Sequence, residues 1–185
     1  MDINTTTLKN KLGIYFPFIS TLFVAICILM LSRVGLALWQ IDRVNESDGW
    51  LQIIFNGLRV DIATLCILLI IPAFFSCFFA GNSTASKVWL FFVRIWFVLV
   101  LWFLVYMELA TTPFIMEYDV RPNRLFVEYL KYPEEVFGML WSGYKLELFI
   151  GLIGSLTTLY FGWKHSRHAV SDLPFLNGTG VRYWQ

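Results

Sequence analysis

Four long apolar runs constrain the fold of this chain more than any other feature of its sequence. The first run is uncharged and long enough, at about 1.5 Å per helical residue, to cross a hydrocarbon core about 30 Å thick. The last run is the shortest, and its charged flanking side chains must reach outward to the two interfaces. The sequence therefore predicts an all-α polytopic membrane protein with four transmembrane helices, at residues 12–32, 62–80, 88–107 and 148–163.

The composition also argues against an ordinary soluble domain. Hydrophobic residues make up 58% of the 185 residues and charged residues only 15%, whereas soluble domains are about half apolar and about a quarter charged. So small a globule has too little interior to hide this excess, and the apolar side chains must face lipid. The basic residues are scattered rather than gathered into a stripe, so we expect no nucleic-acid partner.

The polar connection between the third and fourth runs has helical spacing in two places. Residues 124–131 and 136–141 each place apolar side chains one turn apart. Pro133 followed by two glutamates is a good helix start, because proline suits the first helical position and acidic groups suit the positive end of the helix dipole. We therefore predict two short interfacial helices, joined at Tyr132 and Pro133.

The predicted spans divide the chain into three parts. A cytoplasmic N-terminus, residues 1–11, precedes a transmembrane domain, residues 12–163, and a polar tail, residues 164–185, follows it. Successive spans alternate in direction, so the two long connections, 34–58 and 109–146, share one side of the membrane. We call that side the loop face. The opposite side, here called the terminal face, carries the short link between the second and third spans and both termini.

Charge near the first span gives the expected orientation. Lys9 and Lys11 precede it, and Asp2 is the only acidic residue before it. Short segments rich in Lys and Arg stay in the cytoplasm, and the first span usually dominates this bias. We therefore expect both termini and the whole terminal face to be cytoplasmic.

Ionisable residues gather at the loop-face ends of the spans. Arg59 and Asp61 are two apart, so on a helix they point to nearly opposite sides and cannot satisfy each other. Each needs a partner from another span, because an unpaired charge at membrane depth is costly. The sequence predicts that Arg59 pairs with Glu108 and that Asp61 pairs with Arg33.

Other residues inside the spans are expected to have packing or interfacial roles. Arg94 is interpreted as a snorkelling or packing residue. His165 and His168 share a helix face, but no third ligand lies nearby, so we interpret them as a basic flank rather than a metal site. Small side chains on the fourth span predict close helix packing, at Gly151, Gly154 and Ser155.

Two stretches of the loop face resemble a known family. They are Gly57-Leu58-Arg59-Val60-Asp61 at the start of the second span and the segment 117–129, whose sequence is EYDVRPNRLFVEY. They look like the N-terminal membrane domain of bacterial lipoteichoic-acid-synthase-like proteins, which include phosphoglycerol transferases of the sulfatase and alkaline-phosphatase superfamily. The resemblance covers about residues 10–165 and is strongest over 113–141.

This resemblance implies a multi-pass protein of the bacterial inner membrane that works on phospholipid. In such proteins a membrane domain, typically of five helices, precedes a large extracytoplasmic domain with a divalent metal and a threonine nucleophile. Nothing after Trp163 offers such a constellation, so we expect no catalytic residue, metal site or cofactor in this chain. The chain resembles the membrane half of such an enzyme, either as a truncated product or as a stand-alone relative.

The expected task is to anchor a separate or missing catalytic domain and to present lipid headgroups. Arg121 and Arg124, three apart, are suited to hold a phosphate by charge-assisted hydrogen bonds, although a role in solvating the helix is an equal alternative. The candidate headgroup or polar-network residues are Arg33, Arg59, Asp61, Glu108, Asp119, Arg121 and Arg124.

Two other classes of function are compatible with the sequence. In a small transporter or channel subunit, Arg59, Asp61 and Arg94 would line a pathway through the membrane. In a structural membrane protein, the glycine-containing face of the fourth span would dock onto a partner. Against the first alternative, most of these charges lie at one interface instead of descending through the core.

Overall fold

In the computed structural model, the described residues are 11–79, 84–122, 128 and 131–171, and the regular elements there are all helices. A short 3-10 turn at Gly13–Tyr15 precedes the first long helix, and another at Cys77–Phe79 follows the second long helix. In chain order the helices are α1 (Phe16–Trp39), α2 (Ile41–Glu46), α3 (Trp50–Ser76), α4 (Thr84–Tyr118), α5 (Pro133–Gly143) and α6 (Lys145–Ser171).

Four of these helices are long and apolar enough to cross a membrane. The candidate spans are Gly13–Trp39, Trp50–Phe79, Thr84–Tyr118 and Lys145–Val170. Large apolar side chains such as Phe23, Ile67 and Phe74 lie exposed on their outer surfaces, as lipid contact requires. The prediction of an all-α, multi-pass membrane protein with four transmembrane helices is confirmed.

The helices extend beyond the apolar runs that predicted them. Helix α3 already begins at Trp50 and α4 continues to Tyr118, so much of the predicted connections 34–58 and 109–146 is helical. Helix α6 likewise runs into the predicted tail 164–185 as far as Ser171. Hydropathy marks only the part of a helix that lipid surrounds, whereas the backbone hydrogen bonds continue into the polar interface.

The short helices partly match the prediction. Helix α5 begins at Pro133 with Glu134 and Glu135 in its first turn, which confirms the second of the two predicted short helices. The first predicted helix, 124–131, lies almost entirely outside the described residues. Helix α2 was not predicted, because four of its six residues are polar and only one side chain, that of Val44, is buried.

Helix α1 is the centre of the bundle. It contacts α3, α4 and α6, while α4 makes its largest contact with α6. Two buried clusters fill the space between α1, α3 and α4. The first, nearer the terminal face, contains Phe18, Leu69, Val93 and Phe97, and the second contains Ala25, Leu29, Leu65 and Leu101. The rings of Phe18 and Phe97 meet edge to face, with centroids 5.1 Å apart.

Small residues let α6 approach α4. A Cβ atom at Gly154 would lie 2.6 Å from Leu109 Cδ1, and one at Gly162 would lie 3.8 Å from the Val98 Cα atom. Close packing at Gly154 was predicted and is confirmed. Gly151 was expected to pack in the same way, but it faces open space instead.

The cysteines lie on the outer surface rather than in the core. Cys27, Cys66 and Cys77 are all free and exposed. All three lie inside the predicted apolar runs or at their ends, where a free thiol behaves as a small hydrophobic side chain. Their exposure on transmembrane helices places them on the lipid-facing side of those runs.

Candidate functional site

The central polar contact of the loop face joins α1 to α3. Arg33 Nη2 donates to Asp61 Oδ2 at 2.6 Å, and the two side chains are only 10% and 12% exposed. A buried charge of either sign would be strongly unfavourable without its partner. The predicted Arg33–Asp61 pair is therefore present, and each residue neutralises the other at the end of its span.

Gly57 makes room for this pair. It lies one helical turn before Asp61, on the same face of α3, and it is buried. A Cβ atom at this position would overlap the guanidinium of Arg33. The absence of a side chain at Gly57 thus allows the arginine to lie flat on α3 and reach Asp61.

Glu108 has a different partner from the one predicted. The Ser32 hydroxyl donates to Glu108 Oε2 at 2.5 Å, which joins α1 to α4. Among the described residues no Arg59–Glu108 pair forms, and the Arg59 side chain is exposed. Arg59 is two residues from Asp61, so once Asp61 faces α1 the arginine must point outward, where its long side chain reaches water.

A groove runs along the surface between α1 and α4 at the level of Glu108. Its volume is about 430 Å³, within the range of small-molecule sites. Most of its lining is apolar, and Ser32, Glu108 and Thr112 supply the polar groups. The remaining lining residues are Ile28, Gly35, Leu36, Trp39, Val105, Leu109 and Met116.

A bidentate ion pair ties α2 to the end of α4. Arg43 Nη1 and Nη2 donate to Asp119 Oδ1 and Oδ2, at 2.5 and 2.9 Å, and both side chains are exposed. The hydrogen bonds and charge of Arg43 lower the pKa of the Asp119 carboxyl, and Asp119 raises the pKa of the Arg43 guanidinium in return. Asp119 has a positive φ of 59°, so it ends α4 in the left-handed conformation that Asp and Asn adopt more readily than most residues.

A second contact ties the start of α6 to the end of α4. The Tyr144 hydroxyl donates to Glu117 Oε2 at 2.6 Å. This hydrogen bond stabilises the neutral phenol beside a carboxylate, and it raises the pKa of Tyr144. Together with the Arg43–Asp119 pair, it anchors both loop-face connections on the last turns of α4.

The seven predicted site residues therefore fall into separate groups. Arg33 and Asp61 are paired, and Glu108 lies on the other side of α1. Asp119 pairs with Arg43, which was not among the predicted residues. Arg59 and Arg121 are exposed on the surface, and Arg124 lies outside the described residues.

Several residues of this site were missed from the sequence. The role of Gly57 had a readable signal, because its spacing of four from Asp61 places both on one helix face. Ser32 had a weaker signal, because it is a short polar residue directly before the predicted site residue Arg33. The Arg43–Asp119 pair had no readable signal in the sequence, because it depends on how two distant connections fold over each other.

No group of three or more His, Cys, Asp or Glu side chains that could hold a metal ion occurs within the described ranges. The chain matches no known family model and no solved structure. The described part of the loop face thus combines two ion pairs with an apolar groove that holds a carboxylate.

Proposed function

We propose that this chain anchors a catalytic domain in the membrane and presents a phospholipid headgroup to it, as in the lipoteichoic-acid-synthase-like transferases that it resembles. The observation that carries the proposal is the groove between α1 and α4. It is apolar along most of its length and has the Glu108 carboxylate in its wall, which suits a molecule with both an acyl chain and a polar head.

The groove chemistry favours particular parts of a lipid. Ile28, Leu36 and Val105 give the groove an apolar lining, and acyl chains pack well on such a surface. Glu108 can only accept hydrogen bonds when it is ionised. It therefore suits the hydroxyl or ammonium donors of a headgroup. The phosphate requires cations such as the exposed Arg121, and Arg124 follows it three residues later in the sequence.

The ion pairs give this surface a fixed shape. The Arg33–Asp61 pair holds α1 against α3, and the Arg43–Asp119 pair holds α2 against the end of α4. A pre-formed surface binds with a smaller entropy cost than a mobile one. A separate domain that carries a divalent metal and a threonine nucleophile would carry out the transfer itself.

The cellular setting is part of the same proposal. The chain belongs in the bacterial inner membrane with both termini in the cytoplasm, so that the loop face meets the outer leaflet. Lys11, which precedes α1, and Lys87, in the first turn of α4, support this orientation.

A transporter is the less favoured alternative. A pathway across the membrane needs polar groups or water between its two ends. Between the level of Arg94 and that of Arg33, the interior holds the two apolar clusters around Phe97 and Leu65. A structural role that uses the exposed face of α6 has no specific contact in its favour.

The groove can be tested with a phospholipid that carries a photoactivatable group on its acyl chain. Purified protein in vesicles of bacterial lipid is irradiated, and the modified peptides are mapped. We expect labelling concentrated on α1 and α4 near Glu108, and a severalfold loss of that labelling in Gly35→Trp, which fills the groove. Gly35 has open space around it, so the substitution is tolerated by the fold.

Gly151→Trp is the matched control, because Gly151 also faces open space but lies on α6, outside the groove. It should leave the labelling pattern unchanged. Labelling spread evenly over all four transmembrane helices, or equally strong in Gly35→Trp, would refute a lipid site in this groove.

A further inference from the structure

The groove between α1 and α4 has a negative charge that its own lining does not balance. Among the described residues that line it, Glu108 is the only ionisable one. The Ser32 hydroxyl donates to the Glu108 Oε2 atom, but a hydroxyl brings no positive charge. The lining therefore has a net negative charge whenever Glu108 is ionised.

The arginines near the groove are paired elsewhere. Arg33 directly follows Ser32 on α1, yet its guanidinium lies against α3 and pairs with Asp61. Arg43 pairs with Asp119, just after the end of α4. Neither of these two arginines lines the groove. The carboxylate in the groove is thus left for a cation that comes from outside the described residues.

Two further lining residues suit an ammonium group. Thr112 lies one turn after Glu108 on the same face of α4, and its hydroxyl oxygen can accept a hydrogen bond. The exposed Trp39 lines the loop-face end of the groove, and the faces of aromatic rings attract cations. Gly35 has open space around it, so its position on α1 leaves the groove accessible between Ser32 and Trp39.

We propose that the groove selects a phospholipid whose headgroup ends in a primary ammonium, of the phosphatidylethanolamine type, over one with a glycerol headgroup. This inference rests on the proposed lipid site and specifies its ligand. A primary ammonium has three N–H donors and a positive charge, so it can bond to both Glu108 and Thr112 and balance the carboxylate. The hydroxyl groups of a glycerol head can donate as well, but they leave that charge unbalanced.

Net charge and depth favour the same choice. Phosphatidylglycerol is an anion that Glu108 repels, whereas phosphatidylethanolamine is neutral overall and brings a positive group to the carboxylate. Glu108 bonds to Ser32, which directly precedes Arg33 at the loop-face end of the first predicted span, so it lies at the depth where headgroups begin. Ile28 and Val105 line the groove about one turn deeper, on the side of the acyl chains.

The test uses three photoactivatable phospholipids that share one labelled acyl chain and differ only in an ethanolamine, glycerol or choline headgroup. The full chain in phosphatidylcholine vesicles is irradiated with each probe at equal concentration, and labelled peptides of α1 and α4 are quantified. The ethanolamine probe should label the groove roughly tenfold more than the glycerol probe, the effect expected for a hydrogen bond to a charged group. The choline probe should also label less than the ethanolamine probe, because its ammonium has no N–H donor.

Two matched variants locate the preference. Glu108→Gln should bring the ethanolamine and glycerol probes close to equal labelling, because the amide removes the charge and its oxygen still accepts from Ser32. Glu46→Gln makes the same change at an exposed position of α2, on the loop face but outside the groove. It should leave the ratio of the two probes unchanged.

The outcomes separate this inference from the proposed function. Equal labelling of the groove by the ethanolamine and glycerol probes in the native chain would overturn the ammonium preference and leave the lipid site standing. A preference that survives in Glu108→Gln, or that Glu46→Gln abolishes equally, would overturn the role of Glu108. No labelling of the groove by any probe would refute the lipid site itself. If Glu108→Gln does not fold, the comparison of headgroups in the native chain decides.

Discussion

At the scale of single residues, Arg33 of α1 contacts two positions of α3 that are one helical turn apart. Its guanidinium pairs with Asp61 and covers Gly57 one turn away. The position of one charge at the edge of the membrane thus depends on the smallest residue of the chain. The stability of the pair should therefore respond to the volume at Gly57 as well as to the charge at Asp61.

Adding one methyl group at Gly57 tests this dependence. Gly57→Ala should lower the free energy of unfolding by about 1–2 kcal/mol, because the Cβ atom displaces the Arg33 guanidinium from Asp61. The measurement is an SDS titration of the protein in mild detergent. Gly151→Ala has open space around it and should be neutral or slightly stabilising, since alanine favours helix over glycine. Equal behaviour of the two variants would contradict the packing described for Gly57.

A double-mutant cycle tests the ion pair itself. Asp61→Asn leaves the Arg33 charge buried without a counter-charge and should cost about 3 kcal/mol in the same assay. Combined with Arg33→Gln, it should cost clearly less than the sum of the two single changes, because no lone charge remains. Strictly additive effects would show that the two residues do not interact in the membrane.

The residue scale also shows where prediction from sequence succeeds. The spacing of Arg59 and Asp61 correctly excluded a mutual pair and led to Arg33 as the partner of Asp61. The Arg59–Glu108 pair was wrong for a physical reason. A long arginine near the interface can reach water, whereas Glu108 lies in the groove beside α1 and accepts a hydrogen bond from Ser32.

At the scale of elements, hydropathy located the four spans but not the ends of their helices. Side chains that face lipid must be apolar, so the local composition of the sequence marks the position of each span. The last turns of α4, up to Tyr118, and the first turns of α3, from Trp50, carry polar residues that read as loop. Contacts such as Arg43–Asp119 at the end of α4 join residues far apart in the chain, and a hydropathy profile does not contain them.

The pair formed by α4 and α6 gives a prediction at this scale. Gly154→Leu should reduce the free energy of unfolding by about 2 kcal/mol, because its side chain would push Leu109 away and separate the two helices. Gly151→Leu puts the same side chain three residues earlier in open space and serves as the control. SDS titration distinguishes them. A Gly154→Leu variant as stable as its control would mean that α6 does not pack on α4 as described.

The tie between α2 and α4 should depend on pH and salt. Arg43 lowers the pKa of Asp119 in the folded state, so the pair's contribution is present above the ordinary Asp pKa and is lost as pH falls through the lowered value. Both side chains are exposed, so high salt should also weaken the pair.

Spin labels at Asn45→Cys and Val120→Cys, in a chain whose native cysteines are changed to alanine, report this tie as a distance distribution. The distribution should broaden at low pH and in high salt. Asp119→Asn should broaden it at every pH, since Asn keeps the left-handed backbone and removes the charge. A narrow, pH-independent distance distribution in Asp119→Asn would show that the ion pair is not what holds α2 against the end of α4.

At the scale of the whole molecule, the two membrane faces differ in charge. Carboxylates are concentrated at the loop face, while the spans near the terminal face carry only basic groups. Counting basic residues alone hardly separates the two faces. The difference in acidic residues between the two faces becomes visible once the bounds of the helices are known. These bounds place each residue near one side of the membrane, whereas the sequence alone places it only approximately.

This asymmetry predicts the orientation in the membrane. A reporter enzyme that is active only outside the cytoplasm should be active when fused after Lys131 and inactive when fused after Ser171, the end of α6. A reporter that is active only in the cytoplasm should give the reverse pattern at the same two positions. Extracytoplasmic activity at Ser171 alone would invert the topology, and the proposed headgroup groove would then face the wrong leaflet.

The length of α4 connects this molecule to the thickness of its bilayer. Its 35 residues extend over roughly 50 Å, well beyond a hydrocarbon core of about 30 Å. A helix that is too long for its membrane tilts, and it tilts further where the membrane is thinner. Because α4 carries Glu108 and Asp119 at different heights, tilting would displace these two side chains unequally relative to Ser32 and Arg43. The shape of the outer surface is therefore coupled to the thickness of the lipid around it, and a thin patch of membrane would present a different groove from a thick one.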